Sequence, residues 1–180
     1  MTADQFMAWY DQQPEGWRYE LLDGRVHEMQ GETVSHARVK ASAYLAFRRA
    51  VADRSLPCEA FMDGMAVHVD EETIFEPDAF VRCCAPVNDE ATLVGNPVIV
   101  VEFASPSTQR IDATLKPTRY IRNPHIAHYL IVIPSTRQIV HHRRGEGAGI
   151  ETIIHRTGPI PFDPPGLEVT VEEIFGPAPA

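Results

Sequence analysis

The stretch Val98-Ile-Val-Val-Glu-Phe103 decides how this chain folds, because it is apolar at every position except Glu102. A strand with one solvated face alternates apolar and polar residues, whereas a strand covered on both faces is apolar throughout. The stretch therefore predicts a strand inside a sheet that is covered on both sides. Glu102 is then a carboxylate inside the protein, where charged residues are rare without a partner.

The segments around this strand alternate between helical and strand patterns. Helices are predicted at 3–12, from Ser35 to about Asp53, at 108–120 and after the capping-box sequence Thr170-x-x-Glu173. Strands are predicted in a hairpin at 18–29 around Asp23-Gly24, and at 79–83, 98–103, 128–133, 138–142 and 150–155. A second pair, Asp63-Gly64, indicates another hairpin or a tight connection. The order predicts an α/β protein, an α+β mixture of helices around one mixed sheet.

Composition limits the class of protein. With 180 residues, 44% hydrophobic and 23% charged, the chain can bury one substantial core, and we expect a single domain over 1–176 with a frayed tail at 177–180. No apolar run approaches the roughly 20 residues that span a bilayer. The first ten residues lack the basic and then apolar order of a secretory signal. We therefore expect a cytoplasmic protein that does not enter a membrane.

Cysteine and histidine patterns do not indicate a zinc site. Cys58 and the neighbours Cys83 and Cys84 lack the spaced pairs that zinc sites use, and three cysteines do not define a disulfide framework. We expect free thiols. His141 and His142 would face opposite sides of one strand, so this pair is not expected to chelate an ion.

Asp78, Glu102 and Lys116 are the residues whose types and order point to chemistry. Mg²⁺ is usually held by one or two carboxylates together with waters and substrate phosphate oxygens, and two buried carboxylates are explained if such an ion neutralises them. A nearby lysine suits a negatively charged substrate. Two alternatives remain open: Asp78 as a turn residue after Pro77, and Glu102 in a buried ion pair with Lys116. Pro117 requires that the helix around Lys116 either kinks or starts afresh.

Charge is unevenly distributed along the chain. The net charge is −9, yet the segment 107–144 has seven basic residues and one acidic residue, a balance of +6 that leaves −15 for the other residues. The basic residues could contact a phosphate backbone, or they could scatter over a solvated surface.

In sum, these motifs resemble the Uma-type family of restriction-endonuclease-like proteins, a bacterial branch of the PD-(D/E)XK nuclease superfamily. The matching text is Tyr19-Glu-Leu-Leu-Asp-Gly24, His36, Pro77-Asp78, Val101-Glu-Phe-Ala-Ser-Pro-Ser-Thr108, and Asp112, Lys116 and Tyr120 at four-residue steps. The resemblance implies a restriction-endonuclease-like core with a central mixed sheet flanked by helices. It also implies that Asp78 and Glu102 are metal ligands and that Lys116 is supplied by the following helix. Glu20 is a candidate auxiliary ligand or support of the metal site, and the alternative is a surface residue of the hairpin.

The leading hypothesis is a Mg²⁺-dependent (or Mn²⁺-dependent) endonuclease that hydrolyses phosphodiester bonds of nucleic acid, with DNA as the expected substrate. Arg110, Arg119 and Arg122 are the expected contacts to the phosphate backbone, and a homodimer is expected from the resemblance. A catalytically silent nucleic-acid-binding or protein-binding module on the same fold is a second hypothesis. A metal hydrolase of a small phosphorylated substrate is a third, and it fits the acidic net charge better.

Overall fold

A mixed six-stranded sheet forms the centre of the fold in the computed structural model of the protein, which describes residues 1–29, 31–104, 115–145 and 149–177. Its strands, in spatial order, are β11 (Ile150–His155), β10 (Gln138–Arg144), β9 (His128–Ile133), β8 (Pro97–Phe103), β6 (Ala79–Arg82) and β3 (Glu59–Met62). Strands β8 and β9 are parallel, and the other neighbours are antiparallel. All residues of β8 are buried, Glu102 included, as its almost continuous apolar pattern predicts.

A second sheet, which the sequence did not predict, lies beside the first. Its strands, in spatial order, are β2 (Arg25–Glu28), β1 (Tyr19–Leu22), β5 (Thr73–Phe75), β4 (Ala66–Asp70) and β7 (Leu93–Val94). A further hairpin pairs β12 (Pro159–Phe162) with β13 (Leu167–Thr170). The Asp63-Gly64 pair is a tight connection and not a hairpin, because β3 belongs to the central sheet and β4 to the second. Strands β5 and β7 are too short for their periodicity to be recognised.

Four α-helices occur in the described residues: α1 (Ala3–Tyr10), α2 (Val34–Asp53), α3 (Lys116–Arg122) and α4 (Val171–Phe175). Thr2 caps α1 and Thr170 caps α4, each in a capping box. The N-terminal part of the helix predicted at 108–120 lies outside the described residues. Pro117 stands in the first turn of α3, where the N–H that proline lacks would have no helical partner. The described helix begins at Lys116, one residue before the start at Pro117 that was one of the two predicted outcomes.

The central sheet is covered on both faces. Helices α2 and α4 and the β12–β13 hairpin pack on one face, in a cluster that includes Ala43, Phe47, Val101, Phe103, Leu130 and Phe162. The second sheet and α3 pack on the other face, in a cluster that includes Phe75, Phe80, Val100, Tyr120 and Tyr129. Alternate residues of a strand face opposite sides, so Glu102 points to the same side as Val100. The one charged side chain of β8 thus faces the space between the two sheets.

The cysteines contradict the expectation of three free thiols. Cys58 and Cys83 form a disulfide, with their Cα atoms 4.0 Å apart, whereas Cys84 is free and exposed. Pairing of Glu59 with Arg82 in β3 and β6 brings the two cysteines opposite each other. Sequence alone could not show this disulfide, because its two cysteines are 25 residues apart and only the register of β3 against β6 brings them together. Within the described ranges, no helix is long and apolar enough to cross a membrane.

Candidate functional site

Asp78 and Glu102 lie side by side on neighbouring strands. Asp78 directly precedes β6, and the pairing of Ala79 with Val101 sets it beside the end of β8. The backbone N–H of Phe103 donates to Asp78 Oδ2 at 2.6 Å, which fixes the carboxylate against the neighbouring strand. The Asp78 side chain is 13% exposed and that of Glu102 is 5% exposed. The register therefore places the two predicted residues opposite each other on neighbouring strands, each with a largely buried side chain.

Lys116 reaches both sheets from the first residue of α3. Its Nζ donates to Glu102 Oε1 at 2.9 Å and to Glu20 Oε1 at 2.9 Å. It also lies 5.1 Å from the centre of the Phe75 ring, a favourable position for a cation. Glu20 belongs to β1 and Glu102 to β8, so one ammonium group links the carboxylates of the two sheets. Pro117 does not turn Lys116 away from the site.

Tyr120, one helical turn after Lys116, is a second donor to the same carboxylate. Its hydroxyl donates to Glu102 Oε1 at 3.0 Å, and the side chain is fully buried. Burial raises the pKa of Tyr120 well above its ordinary value, and the charges of Glu102 and Glu20 raise it further. The phenol therefore stays protonated and acts as a hydrogen-bond donor.

Lys40 of α2 is a site residue that the sequence reasoning missed. Its Nζ lies 2.9 Å from Glu32 Oε2, 2.7 Å from Asp63 Oδ2 and 2.9 Å from Asp78 Oδ1, and its side chain is 4% exposed. Burial lowers the pKa of Lys40, but the charge of Asp78 and the hydrogen bonds to all three carboxylates outweigh burial and raise it. Lys40 is therefore a permanent positive charge behind Asp78.

Two signals in the sequence could have found Lys40. It lies three residues before Ala43 and seven before Phe47, on the buried face of α2, where a charged side chain needs a partner. The chain also uses arginine for fourteen of its sixteen basic residues, and Lys40 and Lys116 are its only lysines. Both lysines bind the predicted carboxylates.

Arg18 and Glu76 extend this arrangement into a continuous polar network. An Arg18 nitrogen donates to Glu76 Oε1, a second lies 3.5 Å from Asp63 Oδ2, and the Glu76 N–H donates to Glu20 Oε1 at 2.9 Å. In the part of the chain that the structure describes, its members are six carboxylates (Glu20, Glu32, Asp63, Glu76, Asp78, Glu102) and three cations (Arg18, Lys40, Lys116). These nine groups have a formal charge of −3.

His36, which is part of the resemblance, lies near this network without joining it. Its Nε2 is 3.9 Å from Asp78 Oδ2, too far for a hydrogen bond. That nitrogen is buried and has no hydrogen-bond partner among the described residues. The ring packs edge-on against Phe103, with ring centres 5.8 Å apart.

The predicted nucleic-acid contacts have different surroundings. Arg119 is paired with Asp23 at the β1–β2 turn, whereas Arg122 is exposed. Arg110 lies outside the described residues, as does Asp112. Arg144, further along the basic segment, donates to backbone carbonyls of Ile121, Asn123 and Ile126 and therefore stabilises the fold.

The carboxylates fit a hard divalent cation by their chemistry. No group of three or more His, Cys, Asp or Glu side chains is arranged around a common ion position in the part of the chain that the structure describes. Mg²⁺ does not require such a cage, because it keeps several waters and often uses only one or two protein carboxylates. Asp78 and Glu102 supply that pair within a network that is already negative.

Comparisons with known proteins agree with this architecture. The family model "Uma2: Putative restriction endonuclease" matches residues 3–174. The uncharacterized protein slr1290 of Synechocystis sp. is 23% identical over 177 residues, which are 97% of this chain and 91% of that protein. A crystal structure from Anabaena variabilis, described as "a putative nuclease belonging to DUF820", has a TM-score of 0.77 at 14% identity and covers 97% of each chain. The predicted restriction-endonuclease-like fold is confirmed.

Proposed function

The chain belongs to the Uma2 family, "Putative restriction endonuclease", and from that premise we propose that it is a divalent-metal-dependent endonuclease acting on nucleic acid, with DNA as the substrate. The observation that carries the proposal is the position of Lys116, whose ammonium group contacts Glu102 of the central sheet and Glu20 of the second sheet. This supports one site built from both sheets, beside Asp78.

Asp78 and Glu102 are the proposed ligands of Mg²⁺ or Mn²⁺. A bound divalent ion would supply a water of lowered pKa and would stabilise negative charge on phosphoryl oxygens. The charge of the surrounding groups supports this assignment, because an ion of charge +2 brings the network from −3 to −1. Lys40 and the Phe103 N–H hold the Asp78 carboxylate in a fixed orientation, which supports binding without rearrangement of that side chain.

Lys116 is proposed to stabilise charge on the scissile phosphate or on the attacking water. Its ammonium group is a compact charge, and Glu102 and Glu20 each accept a hydrogen bond from it, which fixes its position. Tyr120 holds Glu102 from the same helix. Glu20 is proposed as a positioning residue for Lys116. Arg122 is proposed to contact the phosphate backbone together with Arg110 and Arg119, and a homodimer is proposed to act on the two strands.

Lysine NMR offers a test with few signals, because the chain has only two lysines. In protein with isotope-labelled lysine side chains, Mn²⁺ bound between Asp78 and Glu102 is expected to broaden both signals. Glu102→Gln is expected to weaken Mn²⁺ binding by about 100-fold, the upper range for loss of a metal-supporting group. Glu168→Gln, which changes an exposed acid on β13, is the matched control and is expected to change nothing. Equal Mn²⁺ binding by wild type and Glu102→Gln would refute the metal assignment.

Cleavage is measured separately, on supercoiled DNA, single-stranded RNA and a generic small phosphodiester with Mg²⁺ or Mn²⁺. We expect nicking of the DNA by wild type and by Glu168→Gln, and none by Lys116→Met. Turnover of the small phosphodiester without cleavage of nucleic acid would favour the small-substrate hydrolase. Cleavage of RNA without cleavage of DNA would show that the substrate is RNA and not DNA.

A catalytically silent binding module is the second candidate, and the pairing of Glu102 with Lys116 favours it. A buried ion pair that serves only the fold can be replaced by neutral groups of similar volume with little loss of stability. If wild type cuts no substrate and binds no Mn²⁺, while Glu102→Gln with Lys116→Met is as stable as wild type, the pair is structural.

A further inference from the structure

Three histidines form a chain on the face of the central sheet opposite Glu102. His128 is on β9, His141 on β10 and His155 on β11, and the register places each one diagonally from the next. They share the face of Ile139, which packs with α2. Phe162 of β12 covers the chain, with ring centres 5.2 Å from His128 and 5.3 Å from His141. No hydrogen bond or ion pair between described residues joins this cluster to the carboxylate network.

Hydrogen bonds fix where the protons of two of these rings lie. His128 Nε2 is 2.9 Å from the carbonyl oxygen of Pro164, which can only accept, so Nε2 carries the proton. In a neutral ring the other nitrogen is then an acceptor, and His128 Nδ1 accepts from His141 Nε2 at 2.9 Å. His141 therefore carries its proton on Nε2, and its Nδ1 presents a lone pair.

The neutral ring is the form of histidine that binds metal ions. In that form each ring donates from one nitrogen and accepts at the other, which is the pattern that the hydrogen bonds from Pro164 through His128 to His141 allow.

The lone pair of His141 faces no donor within the described residues. His141 Nδ1 and His155 Nε2 are both buried and both lack a hydrogen-bond partner among those residues. The ring centres of His141 and His155 are 5.6 Å apart, against 5.1 Å for the hydrogen-bonded rings of His128 and His141. Burying two imidazole nitrogens without hydrogen-bond partners among the described residues costs free energy, so their position calls for an explanation.

We propose that His141 Nδ1 and His155 Nε2 bind a late first-row transition-metal ion of the zinc class. Imidazole nitrogen is a preferred ligand of such ions, at about 2.0–2.1 Å. The other His141 nitrogen is held by a chain that ends on a backbone carbonyl, the usual support of a metal-binding histidine. β11 is the edge strand and His155 is partly exposed, so the ion enters from that side and water completes its coordination. Mg²⁺ prefers oxygen and is not expected here.

The proton positions are tested first, on chelator-treated full-length protein, by long-range ¹⁵N–¹H spectra of the imidazole rings. We expect His128 and His141 to be protonated on Nε2 and unprotonated on Nδ1 near pH 7. A proton on His141 Nδ1 would overturn the proposal, since that nitrogen could not then be a ligand.

Zn²⁺ is the probe for binding, and it is titrated in the presence of excess Mg²⁺, which is added to occupy the carboxylate pair. We expect the His141 Nδ1 and His155 Nε2 signals to shift together, and His155→Gln to weaken Zn²⁺ binding by at least about tenfold. His142→Gln is the matched control, because His142 lies on the opposite face of β10 and bonds to Thr152. His155→Gln on the edge strand keeps the test valid if His141→Gln fails to fold. Unchanged signals at millimolar Zn²⁺, or equal weakening by His142→Gln, would refute the site.

Discussion

Replacing Lys40 by methionine isolates the contribution of one buried charge, because methionine keeps most of the apolar volume and removes the ammonium group. Lys40 Nζ contacts Glu32, Asp63 and Asp78 at 2.7–2.9 Å, and its side chain is 4% exposed. Removing one partner of a buried ion pair typically costs about 3–5 kcal/mol, since the remaining charge stays buried without compensation.

The carboxylates around Lys40 decide where in that range the loss falls. Glu32 is 32% exposed and can be solvated, and Asp63 keeps Arg18 at 3.5 Å. Asp78 keeps only the Phe103 N–H among its close donors in the described residues. The cost therefore arises mainly at Asp78, and we expect Lys40→Met to lower the free energy of unfolding by about 3 kcal/mol.

Urea denaturation measures this loss, with Arg38→Met as the control. Arg38 is exposed on the same helix, so its replacement is expected to change stability by less than about 0.5 kcal/mol. Adding Asp78→Asn to Lys40→Met removes the uncompensated charge, and the double-mutant cycle should give a coupling energy above about 1 kcal/mol. A loss below about 1 kcal/mol for Lys40→Met, or additive effects in the cycle, would refute the reasoning.

Three further predictions concern the rest of the fold. Burial lowers the pKa of His128 to about 4 and that of His141 to about 3, below the unfolded value near 6.5. The contribution of these two neutral rings to the free energy of unfolding is therefore fully present above pH 6.5 and decreases as the pH drops towards 4. The loss is at most about 1.4 kcal/mol per pH unit for each group, and urea titrations of wild type and His141→Gln at several pH values measure it. Replacing Cys58 and Cys83 by serine is expected to cost about 3 kcal/mol, and a thiol-reactive dye should find one accessible thiol in the native wild type and three after reduction and unfolding. Tyr120→Phe removes a donor to a buried carboxylate and should cost about 1.5–3 kcal/mol in thermal or urea unfolding.

The elements predicted from sequence were those with strong local signals. The hairpin at Asp23-Gly24, helix α2, strand β8 and the capping box at Thr170 all follow from turn chemistry, periodicity or capping within a few residues. The second sheet did not follow, because it joins strands distant in sequence, and two of them have three residues or fewer. The expectation of free thiols at Cys58 and Cys83 was wrong for a related reason, since strand pairing and not cysteine spacing brings these two residues together.

The candidate site shows the same division between local and long-range information. Glu102 could be selected because a charge is unusual in so apolar a strand, whereas Asp78 and Lys116 were selected by their order along the chain and by the family resemblance. Lys40 was missed because a lysine in a helix is ordinarily solvated, although its spacing from Ala43 and Phe47 places it on the buried face of α2. The positions of Asp78 and Glu102 on neighbouring strands could be expected, but the distribution of cations between them could not.

The arrangement of the two lysines bears directly on how the site would handle charge. Lys40 contacts Asp78 from α2, and Lys116 contacts Glu102 from α3, on the side of the second sheet. Each carboxylate thus has a fixed cation, yet the nine charged groups that the described residues contribute keep an excess of three negative charges. Complete pairing would leave a divalent ion little electrostatic reason to bind, whereas six carboxylates without cations would be expensive to bury. Partial compensation holds the carboxylates in place while preserving an attraction for a further cation, which is the physical requirement of the proposed metal-dependent reaction.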